Sequence, residues 1–373
     1  MKKFSTLFGF LFAISCFSQE LQKVTNISLL PPPLGYYSSA TGTGYTLKTQ
    51  LYNIIKGHTD RGYGGLYTTY LTSDKDFYYE NDGTLLDNYS ENPTGPECEF
   101  TYGTGQDDGT LGNNECERYN REHIIPQSVF AAATPMYSDA HFVLPSDKHV
   151  NAQRGDLPFG KVSVANWTST NGSKRGSNLN SGYSAGYSGN VFEPIDEFKG
   201  DIARCILYFS TRYEDVVAGY TFPMFNNTSD QVFNPTFLNI LLTWHQQDPV
   251  SQREIDRNNA VYARQNNRNP YIDHPEYVCQ IWSVACAALS NPSIEFSTTS
   301  VYPNPTNNSE ITINSDAKID TIQLININGQ LMMEVKNPAF NNNSYTLENL
   351  PKGFYFLKMN SENKSLTKKV IVN

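Results

Sequence analysis

The chain reads as an α+β protein: a mainly helical domain followed by a small all-β sandwich tail. Three observations predict this. Apolar residues recur at helical spacing between residues 193 and 286. The pattern breaks near residue 290, where Ser290-Asn291-Pro292 and the Ser/Thr cluster at 297–300 read as a linker over 290–300. From Val301 onward, short β-branched and aromatic runs alternate with turn signals. At 373 residues the chain is long enough for two domains with their own cores.

The N-terminus comes first. Lys2 and Lys3 precede an apolar stretch over residues 4–14, small residues follow at Ser15 and Ser18, and Gln19-Glu20 opens a polar segment. Residues 1–18 thus read as a secretory signal peptide cut near Ser18, too short to be a membrane anchor. Cys16 raises a lipoprotein alternative, which Ala13, Ile14 and Ser15 before it fit poorly. No later apolar run approaches the ~20 residues that span a bilayer, so no stable membrane insertion is expected. The 28 Lys plus Arg against 37 Asp plus Glu give a net charge of -9. That excludes a protein held on nucleic acid or an anionic membrane by bulk charge alone.

Export makes disulfides available. Without Cys16, five cysteines remain: Cys98, Cys116, Cys205, Cys279 and Cys286. At most two bridges form. Cys98–Cys116 across a Gly-rich loop is favoured, then Cys279–Cys286. On one unbroken helix the second pair would lie roughly 10 Å apart along the axis, so the helix must end between them. Cys205 falls in the apolar series Ile202, Cys205, Ile206, Phe209 and reads as a buried thiol. No CxxC motif is present, which argues against a zinc ribbon.

Helices are expected over residues 201–213, 237–244, 255–262 and 271–286, the last after a break at Pro275. Strands are expected over 310–313, 321–327 and 353–359, with Asn328-Gly329 as a hairpin turn. Residues 291–373 carry seven acidic and seven basic residues, so the acidic excess belongs to the first domain. Val301-Tyr302-Pro303-Asn304-Pro305, the Asn328-Gly329 turn, Leu350-Pro351-Lys352-Gly353-Phe354-Tyr355 and Lys368-Lys369-Val370-Ile371-Val372 resemble the C-terminal sorting domain of type IX secretion cargo. The resemblance implies that residues 301–373 are recognised by an export machine and removed after passage. The alternative is an ordinary β accessory domain.

The chemistry concentrates between Cys116 and Gly160. His123 follows Glu122 and precedes the apolar pair Ile124-Ile125, ended by Pro126, which reads as a short strand. Residues 142–144 read as a second strand. Ser146 is expected to cap a helix with Asp147 in its first turn, placing Asn151 and Arg154 on a similar face. An imidazole, a carboxylate and an amide oxygen are the parts for hydrolysis assisted by a hard cation.

Arg121-Glu122-His123-Ile124-Ile125-Pro126-Gln127-Ser128, Ser138-Asp139-Ala140-His141 and the run from Val150-Asn151 through Arg154-Gly155 to Phe159-Gly160 resemble the bacterial endonuclease I family, whose nucleases use a ββα-metal (His-Me) finger. Phe192-Glu193-Pro194, Lys199-Gly200-Asp201, Trp244-His245-Gln246-Gln247-Asp248-Pro249 and Asn267-Arg268-Asn269-Pro270 extend the likeness across roughly residues 40–285, within a domain bounded at 19–289. The resemblance implies His123 as general base and Glu122 and Asn151 as ligands of one Mg²⁺, with Mn²⁺ or Ca²⁺ as substitutes. Arg154 is read as a phosphate clamp. Neighbours on a regular strand face opposite ways, so Glu122 and His123 share a site only through an irregular backbone or a water.

Where the family often has two adjacent histidines, this chain has His141-Phe142. His141 is read as a buried, hydrogen-bonded histidine and His149 as structural or exposed. A zinc site of His123, His141 and His149 matches no short zinc motif. Residues 171–190 read as a flexible loop carrying Lys174 and Arg175. Lys199, Arg204, Arg253, Arg257, Arg264 and Arg268 are candidates to line a groove, and Asp273 and His274 read as structural. The expectation is a secreted, monomeric, largely sequence-nonspecific Mg²⁺ endonuclease acting on DNA and possible RNA substrates, giving 5′-phosphate ends. It would reach the cell surface or medium through the periplasm. The alternative is a secreted glycan-binding or adhesive protein, suggested by 24 Tyr, 21 Phe and the β tail.

Overall fold

A computed structural model describes residues 32–290, 299–316, 318–361 and 364–373. The signal-peptide reading of residues 1–18 and most of the linker, residues 291–298, lie outside the described residues.

The first domain runs α1 (Gly44–Ile55), α2 (Gly65–Ser73), β1 (Tyr119–His123), β2 (Val143–Asp147), α3 (Lys148–Arg154), β3 (Val162–Thr168), β4 (Lys174–Asn178), β5 (Asn190–Glu193), α4 (Lys199–Arg212), α5 (Pro235–Gln247), α6 (Gln252–Gln265), α7 (Pro270–Asp273), α8 (Glu276–Ile281) and α9 (Ser283–Ser290). Its core joins Leu47 and Leu51 of α1, Ile202, Ile206 and Phe209 of α4, and Ile240, Leu241 and Trp244 of α5. Every residue of α4 is buried, because its polar positions find charged partners: Arg204 with Glu254, and Asp201 with Arg253. Gly200 permits a close approach here, since a Cβ would lie 2.1 Å from the Asp248 carbonyl oxygen. α5 begins at Pro235, whose preset φ and missing N–H suit a first turn. α6 is framed by a Ser251/Glu254 capping box and by Asn266 in the left-handed region.

The expected helix over 271–286 is three short helices, broken at His274-Pro275 and again at Trp282. The second break brings Cys279 and Cys286 into a disulfide with Cα atoms 5.6 Å apart. Cys98 and Cys116 are also bonded, and Cys205 is a buried thiol.

The reading of residues 171–190 as a flexible loop is corrected. Lys174–Asn178 is the middle strand of the antiparallel sheet β3-β4-β5. Its Gly/Ser composition hides a strand that is hydrogen-bonded on both edges. Gly176 is needed there because a Cβ would meet the Val164 carbonyl at 2.1 Å.

The tail contains β6 (Ser300–Tyr302), β7 (Ile311–Asn314), β8 (Thr321–Asn326), β9 (Leu331–Lys336), β10 (Ser344–Leu347), β11 (Gly353–Ser361) and β12 (Lys364–Val372). They form two antiparallel sheets, ordered β10-β7-β6 and β12-β11-β8-β9. Both sheets contribute to one core, with Ile311 and Ile313 from the first and Ile322, Leu324, Leu357 and Val370 from the second. The expected Asn328-Gly329 turn joins β8 to β9.

Candidate active site

The candidate residues sit on β1, β2 and α3. β1 and β2 pair without a register break, with Glu122 opposite Leu144 and His123 opposite Val143. The strand expected at Ile124-Ile125 lies earlier: β1 ends at His123, and both isoleucines are buried beyond it. The helix cap also differs from expectation. Asp147, not Ser146, caps α3, its carboxylate accepting the N–H groups of His149 and Val150. Asp147 is held in turn: its own N–H donates to Asp87, and it accepts the N–H of Cys116.

On a regular strand Asn120 and Glu122 share one face, and Arg121 and His123 the other. The first face packs against α3. Glu122 is 3% exposed, and its Oε1 accepts from Tyr89 Oη at 2.9 Å and lies 3.0 Å from Arg154 Nη1. Burial pushes its carboxyl up to about 7, against the pull of Arg154 and the Tyr89 hydroxyl. Asn151 donates from Nδ2 to Asn120 Oδ1 at 2.8 Å. Among the described residues its side-chain Oδ1 has no donor.

On the other face, the His123 ring lies parallel to Tyr137, with centroids 5.4 Å apart, and near-parallel to Tyr63 at 5.9 Å. Phe130 and Phe142 lie tilted to the ring at 5.9 and 6.4 Å. Its Nε2 lies 3.2 Å from the Tyr137 carbonyl oxygen. A carbonyl can only accept, so Nε2 carries the proton and Nδ1 the lone pair. The ring is 5% exposed, and burial lowers its pKa to about 4, so it is neutral at pH 7. Glu122, Asn151 and Arg154 thus gather on one face of β1, and His123 lies across the strand from them.

Arg154 links the two faces. Nη1 donates to the His123 carbonyl at 2.8 Å and Nη2 to the Ile124 carbonyl at 2.6 Å. The side chain is 1% exposed, so this guanidinium is turned to the protein's own acceptors and not to a solvent-borne phosphate.

His141 is buried, with Nε2 3.0 Å from the Asn267 carbonyl oxygen. His149 is half-buried beside Trp167 and Gln153. Among the described residues, His123, His141 and His149 form no metal-ligating group. Five of the six basic groove candidates are corrected. Lys199, Arg204, Arg253, Arg257 and Arg268 are buried in ion pairs with Glu193, Glu254, Asp201, Asp74 and Asp273. Arg264 is half-buried. Asp273 also accepts from Tyr37, and His274 stacks on Tyr277, both structural placements.

Sequence reasoning missed Asn120, Tyr89, Asp87, Tyr63 and Tyr137. Asn120 was within reach, because a two-residue step along a strand from Glu122 finds it. The others come from distant segments and carry no local signal.

A helix-rich domain that sets hard oxygen donors and a neutral imidazole along one hairpin has the parts of a hydrolytic enzyme. The chain matches the Endonuclease I family over residues 43–276, a span that contains every candidate residue, and belongs to that family; it is a nuclease. It is 33% identical over 253 residues to an extracellular ribonuclease of Bacillus amyloliquefaciens, covering 66% of this chain and 78% of that one. It is also 33% identical over 256 residues to an extracellular ribonuclease of Bacillus subtilis, with the same coverage of 66% and 78%. Residues 300–373 match the Secretion system C-terminal sorting domain, and the protein is secreted or displayed at the cell surface. Among the described residues, no helix is long and apolar enough to cross a membrane. A solved structure from work on PorZ, a surface component of the type-IX secretion system of Porphyromonas gingivalis, aligns with 22% of this chain and 12% of its own. At 18% identity and a TM-score of 0.19 the likeness carries no argument.

Proposed function

We propose that the protein is an extracellular, Mg²⁺-dependent endonuclease that cuts DNA and RNA with little sequence preference and leaves 5′-phosphate ends. The relatives named extracellular ribonucleases bring RNA into the substrate range. The donor set fits a hard cation. Glu122 offers a carboxylate whose ionisation burial opposes, and Asn151 offers a side-chain Oδ1 without a described donor. Bound there, Mg²⁺ supplies a Lewis acid that offsets charge on the phosphate and on the leaving 3′ oxygen.

The protein's own residues do the rest. His123, with Nε2 fixed on the Tyr137 carbonyl, presents Nδ1 as the proton acceptor for the attacking water. Arg154 is a positioning residue: it ties the His123 carbonyl to the Glu122 carboxylate and so sets base and ligand relative to each other. Because the ring is 5% exposed, water and phosphate must reach it past the half-buried Tyr63–Tyr137 stack. A nuclease that grips phosphates needs few base contacts, and its cleavage should weaken as salt rises.

The observation that carries the reading is the β1–β2–α3 unit, which gathers Glu122 and Asn151 on one face of β1 and sets His123 across the strand, with Arg154 bonded to both the Glu122 carboxylate and the His123 carbonyl. The test is cleavage of supercoiled plasmid and of RNA with Mg²⁺ and then with EDTA. The wild type should cut both, and EDTA should stop it. His123→Ala should lose about 10²–10⁴-fold in rate while staying folded. Normal cleavage by that variant would remove His123 as the base.

A further inference from the structure

Between α2 and β1 the chain runs through residues 74–118 with neither helix nor strand. In this segment Glu80, Glu91 and Glu97 each bring one carboxylate oxygen within 4.8 Å of the others. Glu91 is 0% exposed, and outside the cluster no donor reaches either of its oxygens; its one neighbour at hydrogen-bond distance is the Glu97 carboxyl. Glu97 Oε1 is also buried without a donor from outside the cluster. Among the described residues, no Lys or Arg pairs with any of the three. A buried carboxylate without donor or counter-charge is costly, and like charges at this distance add to the cost.

We propose that Glu80, Glu91 and Glu97 form a second cation site, distinct from Glu122 and Asn151, that takes Ca²⁺. The donors are carboxylate oxygens only, which selects a hard cation over zinc or copper. They are carried on irregular backbone, and Ca²⁺ tolerates irregular geometry that Mg²⁺ does not. The surroundings favour a cation. The Asp76 carboxylate, occupied by the N–H groups of Tyr78, Tyr79 and Asn81, adds negative field at both Glu91 and Glu97. Burial first, and then Glu97 beside it, push the Glu91 carboxyl up to about 9.

The site has a consequence for catalysis. Asp87 and Tyr89 lie between Glu80 and Glu91 in the chain. Asp87 accepts the N–H of Asp147, the cap of α3, and Tyr89 donates to Glu122. An ion bound at both ends of this stretch fixes the segment that braces the first site.

The test uses the full chain carrying Glu122→Gln and Asn151→Ala, so that the first site is disabled. Equilibrium dialysis should find one Ca²⁺ per chain, with a dissociation constant on the order of 10⁻⁵–10⁻³ M. The thermal midpoint should rise with Ca²⁺ concentration. Adding Glu91→Gln should weaken binding about tenfold or more. Since Glu91 is buried, Glu80→Gln at an exposed position is the second variant. It should weaken binding several-fold with an unchanged circular dichroism spectrum. Retention of no Ca²⁺ by the doubly substituted chain, while it remains folded, would overturn the proposal in favour of a proton shared by Glu91 and Glu97. So would binding that neither Glu80→Gln nor Glu91→Gln weakens.

Discussion

Arg154 shows how far a single residue can be read from sequence. Its position on the same helical stretch as Asn151 was readable from spacing, but its partners were not. They are two backbone carbonyls and a carboxylate, reached by a side chain that is 1% exposed. Arg154→Ala should therefore cost about 3–5 kcal/mol of stability, because it leaves a buried carboxylate unpaired. Urea denaturation checks this; a variant of full stability whose only defect is a raised KM would restore the phosphate-clamp role. His141 gives a second residue-level expectation. Burial lowers its pKa to about 4, below the ordinary value near 6.5. Above about pH 6.5 the ring is neutral in both states and contributes no slope. As pH falls from there toward 4, the unfolded chain takes up a proton that the folded chain refuses. Stability should drop by about 1.4 kcal/mol per pH unit from this group. Urea midpoints across that window should show a slope flatter by this amount in His141→Gln than in wild type; equal slopes would contradict the assignment.

Among the elements, the strand–strand–helix unit was readable because Pro126, the Phe142-Val143-Leu144 run and the Ser146-Asp147 pair are local signals, although the cap proved to be Asp147 and not Ser146. Its boundaries were not. The strand ends at His123: Ile124 makes one further bond, its N–H to the Phe142 carbonyl, and Ile125 pairs no further, both buried in the core. The β3-β4-β5 sheet was missed for the opposite reason: its middle strand gains stability from ladder hydrogen bonds on both edges, with little apolar alternation to betray it. The irregular segment 74–118 depends on partners that sequence spacing cannot pair, apart from the Cys98–Cys116 bridge. Replacing both of those cysteines by Ser should lower stability by about 2–4 kcal/mol. It should also reduce the nuclease rate, because Tyr89 and Asp87 brace the site from the same segment. Loss of stability alone, with an unchanged rate at a temperature where the variant is folded, would show that the segment does not support the site.

At the scale of the whole molecule, the change of composition near residue 290 announced two units, and the structure gives them separate cores whose residues do not overlap. The net charge of -9 excluded binding by bulk attraction, but it could not show that most of the helix cations are spent on buried ion pairs. A chain ending at residue 290 should keep the thermal midpoint and specific activity of the first domain, measured beside the full chain; loss of either would mean that the tail contributes to the nuclease fold. The central claim is that one divalent ion held by Glu122 and Asn151 works with the His123 imidazole across β1. It is tested most directly by the Mg²⁺ concentration giving half-maximal plasmid cleavage in wild type and in Asn151→Ala. That concentration should rise at least about tenfold in the variant, the fold being intact, as expected on losing a metal ligand. An unchanged Mg²⁺ requirement at an unchanged rate would contradict it.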